Sequence, residues 1–146
     1  MDFSSLVFRL ILAAVFAAAA VPKLLNPSAF AHIISMYGLV PDTMLFEIAL
    51  LLIVAELVTA AGLLLDQAWA VAAAGALLLL FIAVLGYGIY LGLDIDCGCF
   101  GPEDPEHAAL SGLRTSFMRD LLLLIPVSYL LVRIYIKQHT LSGEQT

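Results

Sequence analysis

Long apolar runs dominate the chain, and polar residues gather in the segments between them. A helix needs about 20 mainly apolar residues to cross the hydrocarbon core of a bilayer, and four runs are long enough. The predicted spans are residues 5–25, 44–65, 68–93 and 116–136. Because backbone groups in lipid must be satisfied within each helix, the pattern predicts an all-α integral membrane four-helix bundle. We expect one domain over residues 1–146.

The connections between the predicted spans differ in length. Only Asp66 and Gln67 separate the second span from the third, which predicts a tight turn. In the first connection, Asn26 before Pro27 is typical of a helix start, and Gly38 of a helix end. A short interfacial helix over about 27–37 is therefore expected. Its apolar residues available to sit in the membrane interface are Phe30, Ile33, Ile34 and Tyr37.

Composition and charge exclude several classes of protein. Hydrophobic residues make up 63% of the chain and charged residues 12%, with a mean hydropathy of +1.07. A soluble enzyme or a disordered chain does not have this composition. With 12 acidic and 6 basic residues, the chain has no basic surface for nucleic acid. We also expect the first span to be retained rather than cleaved as a signal peptide, because no basic stretch precedes it.

The strongest chemical signal is a cysteine pair in the long third connection, residues 94–115. The local sequence is Cys97-Gly98-Cys99-Phe100-Gly101. Gly98 allows the turn that would bring the two sulfurs together, and so small a disulfide ring would be strained and easily reduced. Such a bond suits reversible opening better than structural stabilisation. Five acidic residues flank the pair and disfavour thiolates: Asp94, Asp96, Glu103, Asp104 and Glu106.

Metal binding is an alternative use of the same cysteines. Two thiolates at this spacing can hold a soft ion such as Cu(I). A structural zinc site needs about four ligands, and His107 is expected to face solvent. No metal site is therefore assigned from the sequence.

Glu56 is the other informative residue, because an ionisable group deep in a membrane span normally faces the protein interior. It lies about 18 Å from the start of the second span, at 1.5 Å per residue. Depth calculated in this way favours Arg9 or Arg133 as its partner and places Lys23 and Arg119 too near the membrane surface. The alternatives are a structural ion pair and a role in binding or proton transfer. Ala49, Thr59 and Ala60 share its helix face, whereas Glu47 is expected to be solvated.

Asp120 has a simpler interpretation. It is expected in the first turn of the fourth span, where a negative charge stabilises a helix N-terminus. It also lies on the same side of the membrane as the cysteines.

The order of several short motifs resembles the MauE family, within a wider group of redox-associated membrane proteins that includes DoxX. The most specific match is the Cys97-Gly98-Cys99-Phe100-Gly101 run. The other matching positions are Arg9, Lys23-Leu24-Leu25-Asn26-Pro27 with Phe30, Tyr37-Gly38-Leu39-Val40-Pro41, Ala55-Glu56-Leu57 with Gly62, and Arg119-Asp120.

The resemblance implies a four-helix membrane protein linked to disulfide formation or thiol relay on exported proteins, alongside a thioredoxin-like partner. Cys97 and Cys99 would then cycle between dithiol and disulfide. Such chemistry persists in an oxidising compartment, so we expect the cysteine loop outside the bacterial cytoplasmic (inner) membrane and the termini inside. Electrons would pass to a protein or to a bound quinone. Glu56, Tyr87 and Tyr90 are candidates for a quinone site, although the tyrosines suit interfacial anchoring better.

Two other functions remain open from the sequence. One is a module that binds or transports a soft metal through the cysteine pair, although no span carries a further cysteine to pass an ion onward. The other is a non-catalytic membrane assembly factor that anchors a soluble partner.

Overall fold

The computed structural model describes the backbone of residues 3–92 and 112–143, with side chains to residue 137. Its α-helices are α1 (Phe3–Leu25), α2 (Pro27–Met36), α3 (Leu45–Leu64), α4 (Ala68–Tyr90) and α5 (Leu113–Gly143). A short 3-10 turn, Asp42–Met44, precedes α3. The all-α prediction is confirmed for this part of the chain.

Within the part of the chain that the structure describes, three helical segments are long and apolar enough to cross a membrane. They are Phe3–Leu25, Asp42–Leu64 and Ala68–Tyr90, each 23 residues long. These bounds agree with the first three predicted spans to within three residues. The predicted fourth span, 116–136, lies inside α5. Its crossing of the membrane, and with it the four-span bundle, stays a prediction.

The short helix α2 forms where the sequence predicts it. The side chain of Asn26 accepts a hydrogen bond from the backbone N–H of Ala29 at 3.2 Å, and Pro27 opens the helix. Gly38 follows the end of α2 with a φ of +62°, a conformation that favours glycine. The apolar side of α2 does not lie free at an interface, however. Phe30 is buried against α3, and Tyr37 is buried beside α4.

The long helices pack in antiparallel pairs. Helix α1 packs mainly on α3, and α4 packs mainly on α5, with further contacts between α3 and α4 and between α1 and α5. The largest buried cluster joins all four of these helices. Its members include Leu12, Phe16, Leu63, Val71, Leu78, Val127 and Leu130.

The register between α1 and α3 differs from a simple alignment of span starts. Helix α1 ends at Leu25, and the chain then folds back as α2, which covers the first turns of α3 through Phe30 and Ala31. Helix α3 therefore begins beyond the end of α1. Residues well inside α3 lie level with the last turn of α1.

Candidate functional site: a charged cavity between the helices

A buried ion pair joins α1 to α3. Lys23 Nζ lies 2.5 Å from Glu56 Oε1, and the two side chains are 2% and 1% exposed. The prediction that Arg9 or Arg133 pairs with Glu56 is wrong, as is the prediction that Lys23 lies out of reach. The predicted depths of these residues assume that α1 ends and α3 begins at the same level of the membrane, whereas α3 begins beyond the end of α1. The interior position of Glu56 itself is confirmed.

Arg9 instead holds the tight turn at the other end of the same helix pair. Its Nη1 lies 3.1 Å from Asp66 Oδ1 and donates to the backbone carbonyl of Gln67 at 3.3 Å. Asp66 has a φ of +58°, in the left-handed region that aspartate tolerates better than most residues. The two ion pairs of α1, fourteen residues apart in sequence, fix its antiparallel register on α3.

A second acid–base pair lies on α5. Arg119 donates to Asp120 Oδ1 from Nε at 3.2 Å and from Nη2 at 3.1 Å. Asp120 is buried and is the eighth residue of a helix that starts at Leu113. The prediction that it lies in the first turn is wrong, because α5 begins three residues before the predicted start. Asp120 therefore does not lie at the N-terminus of α5, and its side chain is buried in the protein interior.

The Lys23–Glu56 pair and the Arg119–Asp120 pair line one cavity of about 310 Å³, which we call the charged cavity. Lys23 and Glu56 form part of its wall on the α1 and α3 side, and Arg119 and Asp120 on the α5 side. Lys23 interacts electrostatically with both carboxylates. Two positive and two negative groups thus compensate one another in an environment where an isolated charge would be costly.

Most of the remaining wall is apolar. Lys23 Nζ lies 4.8 Å from the ring centroid of Phe30 and 5.0 Å from that of Phe81, so two aromatic faces flank the ammonium group. Leu39 and Leu80 also line the cavity and are 53% and 45% exposed at the outer surface of the protein. The cavity therefore connects an apolar surface with a buried cluster of charges.

One buried polar atom in the wall has no hydrogen bond to any described residue. Oε1 of Glu56 is bonded to Lys23, but within the described part of the chain no group bonds to its Oε2, although Glu56 is fully buried. A buried acceptor without a partner costs about 1–3 kcal/mol, and more when it is charged. Such an atom is suited to receive a ligand.

The other sequence-predicted site residues fall into two groups. Cys97, Gly98, Cys99, Phe100 and Gly101 lie outside the described residues. Tyr87 and Tyr90 do not line the charged cavity and are exposed. Within residues 3–92 and 112–137, no group of three or more histidine, cysteine, aspartate or glutamate side chains could hold a metal ion.

The wall of the charged cavity also includes Tyr37, which the sequence predicts at a different place. Tyr37 was expected at the membrane surface, but it is 7% exposed, lines the cavity and packs against Gly88 of α4. A Cβ at Gly88 would lie 2.7 Å from Tyr37 Cε1, so glycine is needed for this contact. Nothing in a single sequence indicates that an aromatic residue at the end of α2 contacts a glycine of α4.

Comparisons with known proteins agree with the motif order. The family described as Methylamine utilisation protein MauE matches residues 1–133. The Methylamine utilization protein MauE of Paracoccus denitrificans is 39% identical over 95 residues, which cover 63% of this chain and 51% of that protein. The match thus spans about half the length of this relative. No solved structure matches the chain significantly.

Proposed function

Because the chain belongs to the MauE family, we propose that it is the membrane component of a thiol–disulfide relay. Cys97 and Cys99 would exchange electrons with an extracytoplasmic thioredoxin-like protein, in the maturation of exported proteins that contain disulfides. Methylamine utilisation, which the name of the Paracoccus relative gives, is the proposed setting. The Cys-Gly-Cys sequence supports the chemistry, since a disulfide between two cysteines at this spacing would close a small ring that opens readily.

The observation that carries this proposal is the position of the two ends of the cysteine segment. Helix α4 ends at Tyr90, and α5 begins at Leu113, which is buried in one cluster with Leu85 and Tyr37. Both ends therefore lie beside the α2 end of the protein, where the charged cavity is found. In the sequence, Cys97 follows five residues after Gly92, the last described residue before the cysteine segment.

The proposed exchange balances electrons and protons between two dithiol–disulfide pairs. A thiolate of the reduced partner attacks the Cys97–Cys99 disulfide, which gives a mixed disulfide and one free cysteine thiol. The second thiolate of the partner then attacks the mixed disulfide, so that the partner becomes oxidised. Cys97 and Cys99 are left as a dithiol with the two electrons and two protons that the partner lost.

The proposed location is the bacterial cytoplasmic membrane, with the cysteine segment outside and both termini inside. The described helices support a membrane protein through three candidate spans. In this proposal α5 is the fourth span, since its 31 residues correspond to about 46 Å at 1.5 Å per residue. An oxidising compartment on the side of the cysteines is required for the disulfide to persist.

The redox state of the two cysteines in cells tests the proposal. Membranes are quenched with acid, alkylated with a reagent that adds a large mass to each free thiol, and compared with and without prior reduction. We expect a substantial fraction of the chain to lack free thiols before reduction and to show two after it. Both thiols permanently reduced in aerobic cells would contradict a relay. Tight stoichiometric Cu(I) binding without redox cycling would favour the metal-binding alternative.

A further inference from the structure

We propose that the charged cavity binds the headgroup of a membrane quinone. This inference rests on the proposed function, since it names the acceptor that re-oxidises the cysteine pair. The binding site itself is argued from the cavity alone.

The size and lining of the cavity limit the class of ligand. Its volume of about 310 Å³ lies at the lower end of the range for small-molecule sites, so it holds a single substituted ring rather than a larger molecule. Most of its wall is apolar, and Phe30 and Phe81 supply aromatic surfaces for a planar ring. The exposed apolar side chains Leu39 and Leu80 offer a path for an isoprenoid tail toward lipid.

The charges of the wall favour a neutral polar headgroup. Among the described lining residues, Lys23 and Arg119 are balanced by Glu56 and Asp120. A fatty-acid carboxylate or a phosphate would enter without a surplus cation to compensate it, and a cation would lack a surplus anion. Burial of an uncompensated charge is strongly unfavourable in such a place.

The hydrogen-bonding groups of the wall match both redox forms of a quinone. The ammonium group of Lys23 has three N–H donors and gives one to Glu56 Oε1, so it can donate another to a quinone carbonyl. After reduction, the same ligand oxygen is a hydroxyl and can donate to Oε2 of Glu56, the buried acceptor that has no partner among the described residues. The Lys23 donor beside the Glu56 acceptor thus suits a quinone oxygen, which accepts a hydrogen bond as a carbonyl and donates one as a hydroxyl.

The redox step that this site would serve is balanced. The Cys97–Cys99 dithiol loses two electrons and two protons and becomes a disulfide, while the quinone gains them and becomes a quinol. The quinone pool of the membrane is the oxidant. Glu56 and Lys23 would bind the headgroup and place a proton-carrying group beside its oxygen.

Photolabelling with an azido derivative of a short-chain ubiquinone tests the site. The full chain is purified with Cys97→Ser and Cys99→Ser, so that binding is measured without thiol chemistry, and placed in lipid nanodiscs. We expect labelling of peptides from the cavity wall, reduced at least about tenfold by excess decylubiquinone. Val84→Trp, which fills the cavity from α4, should reduce labelling about as much. Leu79→Trp is the matched control, because Leu79 lies on the same helix and is 59% exposed outside the cavity.

Leu52→Trp fills the cavity from α3 and guards against misfolding of a single variant, and the thermal stability of each variant is recorded. Equal labelling of all folded variants would overturn the quinone site. Equal displacement by an alkyl compound that lacks the quinone ring would also overturn it, since it would show an acyl-chain groove. Both results leave the thiol relay standing if the cysteines still cycle, and a failed relay does not remove quinone binding from the cysteine-free protein.

Discussion

Lys23 and Glu56 form a salt bridge of 2.5 Å although they lie 33 positions apart in the sequence, and neither side chain is appreciably exposed. The pair joins the last turn of α1 to the middle of α3 and forms part of the wall of the charged cavity. The pair is a structural contact between the two helices, and its carboxylate also carries Oε2, which has no hydrogen-bond partner among the described residues. Variants that separate these two roles are the most informative.

We expect the buried pair to behave non-additively in a double-mutant cycle. Lys23→Met leaves a buried carboxylate without its cation and should lower the free energy of unfolding by about 3–5 kcal/mol. Lys23→Met combined with Glu56→Leu should cost clearly less than the sum of the two single changes. Unfolding in mixed micelles measures each value, and Glu47→Leu, an exposed position on α3, is the control. Additive losses would show that the two side chains do not interact.

Glu56→Gln tests the functional role more gently. Glutamine has the size of glutamate, and its amide oxygen can still accept a hydrogen bond from Lys23. It carries no negative charge, and an NH2 group replaces one of the two carboxylate oxygens. We expect normal membrane insertion and an approximately hundredfold slower re-oxidation of the cysteine pair in membranes after removal of dithiothreitol. Glu47→Gln is the matched control on the same helix and should re-oxidise normally. Normal re-oxidation with Glu56→Gln would leave the residue a structural role only.

Two glycines of α4 give a matched test of the contact between α2 and α4. A Cβ at Gly88 would lie 2.7 Å from Tyr37 Cε1, whereas a Cβ at Gly86 would meet its nearest neighbour, Phe117 Cε2, at 3.5 Å. Gly88→Ala should therefore destabilise the protein by about 1–3 kcal/mol through overpacking. Gly86→Ala should be neutral or stabilising by up to about 1 kcal/mol. Thermal unfolding compares them, and equal effects would contradict the close approach of Tyr37.

The turn between α3 and α4 allows the backbone and the ion pair to be tested separately. Asp66 has a φ of +58° and pairs with Arg9. Asp66→Asn keeps a residue that accepts this conformation and should cost less than about 1 kcal/mol, because Asp66 is half-exposed. Asp66→Val adds a strained β-branched residue and should cost about 1–2 kcal/mol more. A larger loss for the asparagine variant would show that the charge, not the backbone, dominates.

The sequence predicts helices better than it predicts their relative positions. Apolar length predicted four spans, and three of them coincide with described helices that are long and apolar enough to cross a membrane. Asn26, Pro27 and Gly38 predicted α2, because such signals act within a few residues. The partner of Glu56 was predicted wrongly, since it depends on how far α3 extends beyond α1. That offset follows from the packing of α2 on α3, which no single segment encodes.

The candidate site likewise has residues that the sequence predicts and features that depend on how the helices pack. Glu56 was predicted as an interior residue from its charge and depth, and this is confirmed. Arg119 and Asp120 came from a motif resemblance, and the structure places both in the wall of the charged cavity. The cavity itself, and the burial of Tyr37 in its wall, arise from five helices meeting at one point. Tyr87 and Tyr90 lie on the exposed side of α4 and so take no part in it.

Trapping of a mixed disulfide tests the central claim most directly. Cys97→Ser and Cys99→Ser are expressed singly in cells that contain the thioredoxin-like partner, quenched with acid and separated without reductant. One of the two single variants should accumulate a reducible adduct of the chain with that partner, and Cys97→Ser with Cys99→Ser together should form none. No adduct with either single variant, together with full partner oxidation in the double variant, would contradict a relay through this cysteine pair.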